Sequence, residues 1–375
     1  MRDRHITLLN NQGLDQHGGG VRILDRLAAH FAKHNRVQVV AESAAAAREV
    51  AQRTLPPLPT PRGPAWRWQP LRKVRHLARV VPSLVGRPDV VICLDPHFHA
   101  AIAQLCPKLS VYISLSAAPR QEWFAERGTT AAARALQYAW IERRMVARSH
   151  VQVVASRFHA NEIRRFEMLP CFRPLVLAPV FAPANAQPTA ATAPPTVLVV
   201  ARLIRLKNVG LAVDLAERTR DIPCRFVIVG DGDQRGMLEA RARWLGDRVK
   251  FVGGIDAAPF YHEATVLLHS SRYESFGISL VEAMQHGVVP LCGKPGRRCA
   301  TATDEIVTDG VSGVLWDLDD MDGVERALRS LLGDANRRAA LAGGARARAN
   351  ELLARDYATD IENALDAVDA GLADR

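Results

Sequence analysis

Two runs of alternating apolar strands and amphipathic helices, separated by a stretch that can form neither, constrain this chain most. The separator, 181–196, is low in complexity and holds four prolines, which fix φ and withhold backbone donors. Before it, apolar runs predict strands at 6–10, 37–41, 89–94, 109–115 and 151–155, with helices at 21–34 and 130–148. After it, strands are expected at 197–201, 225–230, 249–252, 264–269 and 288–292, with helices between them. The alanine-rich segment 336–372 reads as helical. Strand–helix alternation of this kind predicts α/β architecture with doubly wound, parallel sheets. The domains expected are 1–180 (N-terminal), a linker at 181–196 and 197–350 (C-terminal). A final helix, 351–375, is expected to pack back toward the first domain. Two such domains set their strand ends around a cleft, the usual place for a ligand.

Charge is unevenly divided. Residues 1–180 hold 26 Lys and Arg against 12 Asp and Glu, a balance of +14; the remainder holds 23 against 27, a balance of −4. The first half therefore suits an anionic partner: a lipid surface, a phosphorylated acceptor or nucleic acid. No nucleic-acid motif accompanies the charge, so nucleic acid is not the expected partner. Trp66 and Trp68 interleave with Arg72, Lys73, Arg75 and Arg79 and with the apolar Leu71, Val74, Leu77 and Val81. That pattern suits a helix lying on an anionic membrane; an ordinary surface helix with solvated cations fits it too. No run of about 18 apolar residues is present, and the N-terminus enters a strand directly. Six cysteines without a Cys-x-x-Cys pair fit a reduced, cytoplasmic protein, with peripheral placement at the inner face of the plasma membrane if the basic helix binds lipid.

Chemistry concentrates at 270–291. A strand ends in small polar residues, a loop carries Glu274 and Gly277, and a helix opens near Ser279 and carries Glu282. A loop at a strand's carboxyl end that feeds a helix N-terminus is where such sheets hold anions. Two carboxylates eight positions apart suit contacts to sugar hydroxyls. Arg202 and Lys207 follow another buried strand, where two cations can grip a diphosphate. Gly230-Asp231-Gly232-Asp233 follows a third strand, and glycines there permit close approach of a ligand. Gly18-Gly19-Gly20 does the same near the first helix, as a weaker signal. No Asp-x-Asp metal motif is recognised, since Asp231 and Asp233 sit in that turn.

The string Glu-Ser-Phe-Gly-Ile-Ser-Leu-Val-Glu-Ala-Met-Gln-His-Gly from Glu274 resembles the Glu-x7-Glu signature of glycosyltransferase family 4. Arg202-Leu-x3-Lys207 resembles that family's Gly-Arg-Leu-x3-Lys, with Ala201 for the glycine, and Glu305-Ile-Val-Thr-Asp-Gly-Val-Ser-Gly matches a further motif. The resemblance implies the GT-B fold and a retaining transferase that moves a sugar from a UDP- or GDP-linked donor to an acceptor hydroxyl. The implied setting is glycan, glycolipid or glycoconjugate biosynthesis, including cell-envelope polysaccharide. Neither a metal nor another cofactor is expected. The catalytic set implied is Glu274, Arg202, Lys207 and His99. Donor contacts fall to Glu282 (ribose), Phe276, Gly277, Ile278, Ser279, Gly230, Gly232, Gly19, Gly20 and Glu305. Acceptor-side candidates are Ser116, Arg120, Arg157 and His97. The family places a histidine where Ser116 stands, so His97 or His99 takes over the sugar contacts or the role is absent. Two other readings fit parts of the chain. One is a GT-B nucleotide-sugar hydrolase or epimerase; the other is a basic membrane- or nucleic-acid-binding protein with an inactive transferase half.

Overall fold

A computed structural model of the 375-residue chain describes residues 1–11, 19–43, 50–58, 68–115, 129–166, 169–180 and 194–373. It divides into two compact units, Met1–Pro179 with Asp356–Arg375, and Val180–Arg355.

The first unit is built on strands β1 (His5–Leu9), β2 (Arg36–Ala41), β3 (Ala51–Thr54), β4 (Val90–Cys93), β5 (Leu109–Ser114), β6 (Val151–Val154) and β7 (Leu175–Val176). They form one parallel sheet in the order β3-β2-β1-β4-β5-β6-β7. The inner strands read as apolar runs because helices cover both faces. The two edge strands escaped the sequence reading: β3, Ala-Gln-Arg-Thr, is largely exposed, and both residues of β7 are exposed. An edge strand needs no continuous apolar face.

Helices α1 (Gly19–Phe31), α2 (Gln69–Val85), α3 (His99–Leu105), α4 (Thr129–Val146) and α5 (Arg157–Phe166) surround this sheet. Helix α1 buries Val21, Ile23, Leu24, Leu27, Ala28 and Phe31, the face its 3.6-residue period predicts. In helix α2, Leu77, Val81 and Val85 pack with Leu9, Val91, Phe98 and Tyr112 in the core and Val74 is buried, so the apolar stripe faces inward. Outward, the helix offers exposed Arg75 and Arg79, with Trp68 57% exposed at its start. Trp66 lies outside the described residues.

The second unit holds β8 (Thr196–Val200), β9 (Arg225–Val229), β10 (Val249–Gly253), β11 (Val266–His269), β12 (Tyr273–Glu274), β13 (Val289–Gly293), β14 (Ala300–Thr301) and β15 (Val314–Trp316). Six make a parallel sheet, β10-β9-β8-β11-β13-β15, while β12 pairs with β14 alone. Helices α6 (Gly210–Arg218), α7 (Ile278–Gln285), α8 (Thr303–Ile306) and α9 (Ala335–Leu353) are among those that pack around it. The three-residue β15 was too short for its period to register in the sequence.

The helix expected over 336–372 is broken. α9 ends at Leu353, and a new helix, Tyr357–Ala373, belongs to the first unit. Asp356 marks the break because its carboxylate accepts from the Thr359 amide at 2.7 Å, as an N-cap does. Tyr357, Ile361 and Leu365 are buried, while Glu362 meets His30 at 2.6 Å and Asp369 meets Arg4 at 2.8 Å. Lys108 pairs with Asp369 as well.

Arg248, just before β10, ties one edge of the second unit together. Its guanidinium donates to the carbonyls of Ala216, Thr219, Ile222 and Cys224 at 2.5–3.0 Å. Arg248→Met leaves these carbonyls without their donor. It is expected to cost about 2–3 kcal/mol, read as a fall in the urea midpoint; a loss under about 0.5 kcal/mol rejects the assignment.

Candidate functional site

In the second unit the carboxyl ends of β8, β9 and β11 are stitched to one segment, 201–208. On one side the Ala201 amide donates to Val229 at 3.1 Å and the Leu203 amide to Asp231 at 2.8 Å. On the other, the Arg272 amide donates to Leu206 at 2.8 Å and the Ser270 hydroxyl to the Lys207 carbonyl at 2.9 Å. The segment ends in a short 3-10 turn, Arg205–Lys207, closed by Asn208 at φ 50°, a left-handed position that asparagine tolerates. Its cations, Arg202 and Lys207 among them, therefore emerge at fixed backbone positions. Arg202 is exposed, whereas Lys207 is 16% exposed.

Gly230 and Gly232 lie against this segment. With φ of 147° and 159°, both occupy backbone that side chains avoid. A Cβ on Gly230 would strike the Ala201 carbonyl, and one on Gly232 would sit 2.5 Å from the Leu203 oxygen. Glycine here lets two strand ends touch on either side of Arg202.

Glu274 reaches the other cation. Lys207 Nζ donates to Glu274 Oε2 at 2.6 Å, and His269 Nε2 lies 3.5 Å from the same oxygen. Burial pushes this carboxyl up, but the Lys207 ammonium and His269 outweigh it and hold it well below the usual carboxylate range. Glu274 is thus a carboxylate at any working pH. Its backbone is fixed by the β12–β14 pair, with the Ala302 amide donating to the Glu274 carbonyl at 3.1 Å. The basic connection 293–303, which the sequence left without a structure, supplies that support. It turns tightly between Gly296 and Cys299, and Thr303 closes it onto the Gly293 carbonyl at 2.6 Å.

Gly277, at φ 105°, precedes α7, so the first amides of that helix, from Ile278 and Ser279, have no partner within the helix. Phe276 and Gly277 are buried beside them. Glu282 lies one turn into α7, where Tyr261 donates to its Oε2 at 2.9 Å. Glu305 is half-buried on α8, whose last carbonyls accept from Arg348 of α9.

The first unit gathers polar groups at the carboxyl ends of its own strands. His97 donates to Asp95 Oδ1 through its backbone amide at 2.8 Å, and its ring Nδ1 is 2.6 Å from the same oxygen. The Asn11 amide, beyond β1, donates to the other Asp95 oxygen. Burial raises the Asp95 carboxyl, but His97 overcomes this and holds it below its ordinary value. His99 is buried against Trp140, with Nδ1 3.2 Å from the Pro96 carbonyl; burial pushes it down to about 4, so it is neutral near pH 7. A buried network of Tyr112, Ser114, Glu142 and His159 lies at the end of β5. Arg157 opens α5 and is exposed, and Gly19 and Gly20 open α1. Ser116 and Arg120 lie outside the described residues. Among the described residues no group of three or more His, Cys, Asp or Glu is placed to hold a metal ion, and no helix is long and apolar enough to cross a membrane.

His269 is the residue the sequence reading passed over. It closes an apolar strand, and an ionisable ring in a slot otherwise filled by Val and Leu was the available signal.

Residues 182–348 match the model of the family described as glycosyl transferases group 1. A glycogen synthase of Pseudomonas paraeruginosa is 29% identical over 127 residues, which is 32% of this chain and 24% of that relative. The chain thus spans about a quarter of that curated relative's length. Sucrose-phosphate synthase from Thermosynechococcus elongatus superposes with a TM-score of 0.76 at 19% identity, covering 98% of this chain and 99% of that one. Anabaena Alr3699/HepE, solved in complex with UDP-glucose, gives 0.69 at 18% identity over 97% and 99%. The chain therefore has the α/β GT-B fold, and residues 182–348 carry the glycosyl transferases group 1 pattern.

Proposed function

We propose that this chain is a retaining glycosyltransferase of the family 4 type, moving a hexose from a nucleotide diphosphate sugar to an acceptor hydroxyl. One observation carries the reading: the cation-bearing segment 201–208, the Gly230–Gly232 turn and Glu274 are tied together at the carboxyl ends of neighbouring strands. In this reading Arg202 and Lys207 bind the diphosphate and stabilise the charge that grows on it as the bond to the sugar breaks. Glu274 holds sugar hydroxyls, and Glu282, oriented by Tyr261, holds the ribose. The amides of Ile278 and Ser279 face the anion. The bond from the anomeric carbon to the diphosphate breaks as the acceptor oxygen attacks from the same face, and the acceptor proton passes to the leaving phosphate oxygen. The cations fill the role a metal would otherwise take, so the reaction is metal-independent. The +14 balance of residues 1–180 favours an anionic acceptor, phosphorylated or lipid-linked.

UDP is the first nucleotide to test, because Alr3699/HepE was solved with UDP-glucose. A thermal shift series with UDP, GDP and ADP, each with and without EDTA, checks the donor site. Saturation at about 100 times Kd adds about 2.7 kcal/mol of stability, a rise of a few degrees. No shift with any of the three rejects the donor reading.

A further inference from the structure

Two nitrogen groups converge on one oxygen of Glu274: Lys207 Nζ at 2.6 Å and His269 Nε2 at 3.5 Å. The His269 side chain is 5% exposed, and its Nδ1 has no hydrogen-bond partner among the described residues. With Lys207 in place the carboxylate is already balanced. Nε2 faces the carboxylate, and the buried Nδ1 has no partner there.

We propose that His269 takes up a second proton when a nucleotide diphosphate draws Lys207 away from Glu274. This rests on the donor-site reading above. The two negative groups compete for a single ammonium. Once Lys207 turns to the diphosphate, Glu274 is a carboxylate, four-fifths buried, without its partner. Such a charge is strongly disfavoured unless something nearby compensates it. Cys292 stands opposite His269 on β13, and burial pushes its thiol up, so it stays neutral. On the other flank of β11, β8 pairs only with Val266 and Leu267, through Val197 and Leu198, which carry no charge. The proton therefore comes from solvent to Nδ1, making imidazolium beside Glu274, and no other bond changes. His269 acts as a positioning residue: it keeps Glu274 ionised and in place while Lys207 works elsewhere.

The sign follows from linkage. Proton uptake on binding means the ring's pKa is higher in the complex than in the free protein. Diphosphate affinity is then at its full value below the free-protein pKa, and falls as pH rises toward the pKa of the complex, by up to about tenfold per pH unit.

The test is isothermal titration of UDP, with GDP in parallel, into the full chain at pH 7.5 in two buffers of different ionisation enthalpy. The UDP phosphate titrates in the same range, so the readout is the difference between wild type and His269→Gln. Wild type is expected to take up about half to one proton more per UDP bound. Glu274→Gln should remove that difference although the histidine is intact. Equal proton numbers in wild type and His269→Gln overturn the proposal and leave the donor reading standing. If His269→Gln does not fold, the wild-type ring is titrated by NMR with and without UDP. An upward move of its pKa in the complex supports the proposal, and an unmoved pKa overturns it. Absence of UDP or GDP binding at every pH sinks the donor reading and this inference together.

Discussion

Glu274→Ala is expected to reduce sugar transfer by at least about 100-fold, the scale seen when a fixed polar group facing the transition state is removed. The same change should lower stability, because it leaves the Lys207 ammonium and the His269 ring facing an empty space. Breaking a buried ion pair by removing one partner costs about 3–5 kcal/mol; with both side chains about a fifth exposed, the low end applies. Glu274→Gln separates the two effects. It keeps the volume and an acceptor for Lys207, so stability should largely return while transfer stays low. The pH dependence carries a sign as well. A carboxyl held below its ordinary value contributes stability that is fully present above about pH 4.5 and is lost as pH falls through its folded-state value. Wild type should therefore lose more stability than Glu274→Gln between pH 6 and pH 3. The measurements are turnover with the donor found by the nucleotide screen, and urea midpoints across that range. Wild-type turnover in the alanine variant would sink the role given to Glu274.

Gly230→Ala is expected to weaken nucleotide binding by tenfold or more and to destabilise the second unit by about 1–3 kcal/mol. The new methyl would collide with the Ala201 carbonyl, which is backbone and has no rotamer to retreat into. The strand end and the segment bearing Arg202 must part for it to fit. Lys207 lies on that same segment, so both cations shift relative to Glu274. Gly236 provides the contrast. It lies in the helix Arg235–Ala242 with nothing within 4 Å of a built Cβ, and alanine there should stabilise by about 0.5–1 kcal/mol. Calorimetric titration with UDP and urea denaturation of both variants check the pair. Equal affinity in Gly230→Ala and wild type would show that the turn does not position the cations.

Much of this was legible in the chain. The buried parallel strands were visible as apolar runs because a strand covered on both faces must be apolar along its length. The candidate residues of the second unit were visible because Arg202, Lys207, Glu274 and Glu282 follow such runs at fixed spacings, and a strand's carboxyl end delivers its loop to one edge of the sheet. Strands β3, β7 and β15 were not visible, since an edge or a three-residue strand has too little buried surface to set a pattern. For helix α2 the sequence left two readings open, because a 3.6-residue apolar stripe says that one face is buried without saying in what. Leu77 and Val81 join the core cluster and Val74 is buried, while Arg75 and Arg79 stay exposed.

The sequence by itself determined the α/β class, the two strand–helix series and the polar residues that follow the strands of the second unit, because these depend on local periodicity and on residues close together in the chain. Only the tertiary structure decided which of those residues touch. Lys207 and Glu274 are 67 positions apart and share a 2.6 Å hydrogen bond, and His269 joins them from the end of another strand. The physical reason is that parallel strands bring distant loops to a common edge, and the distances there are set by packing, to which local sequence pattern is blind.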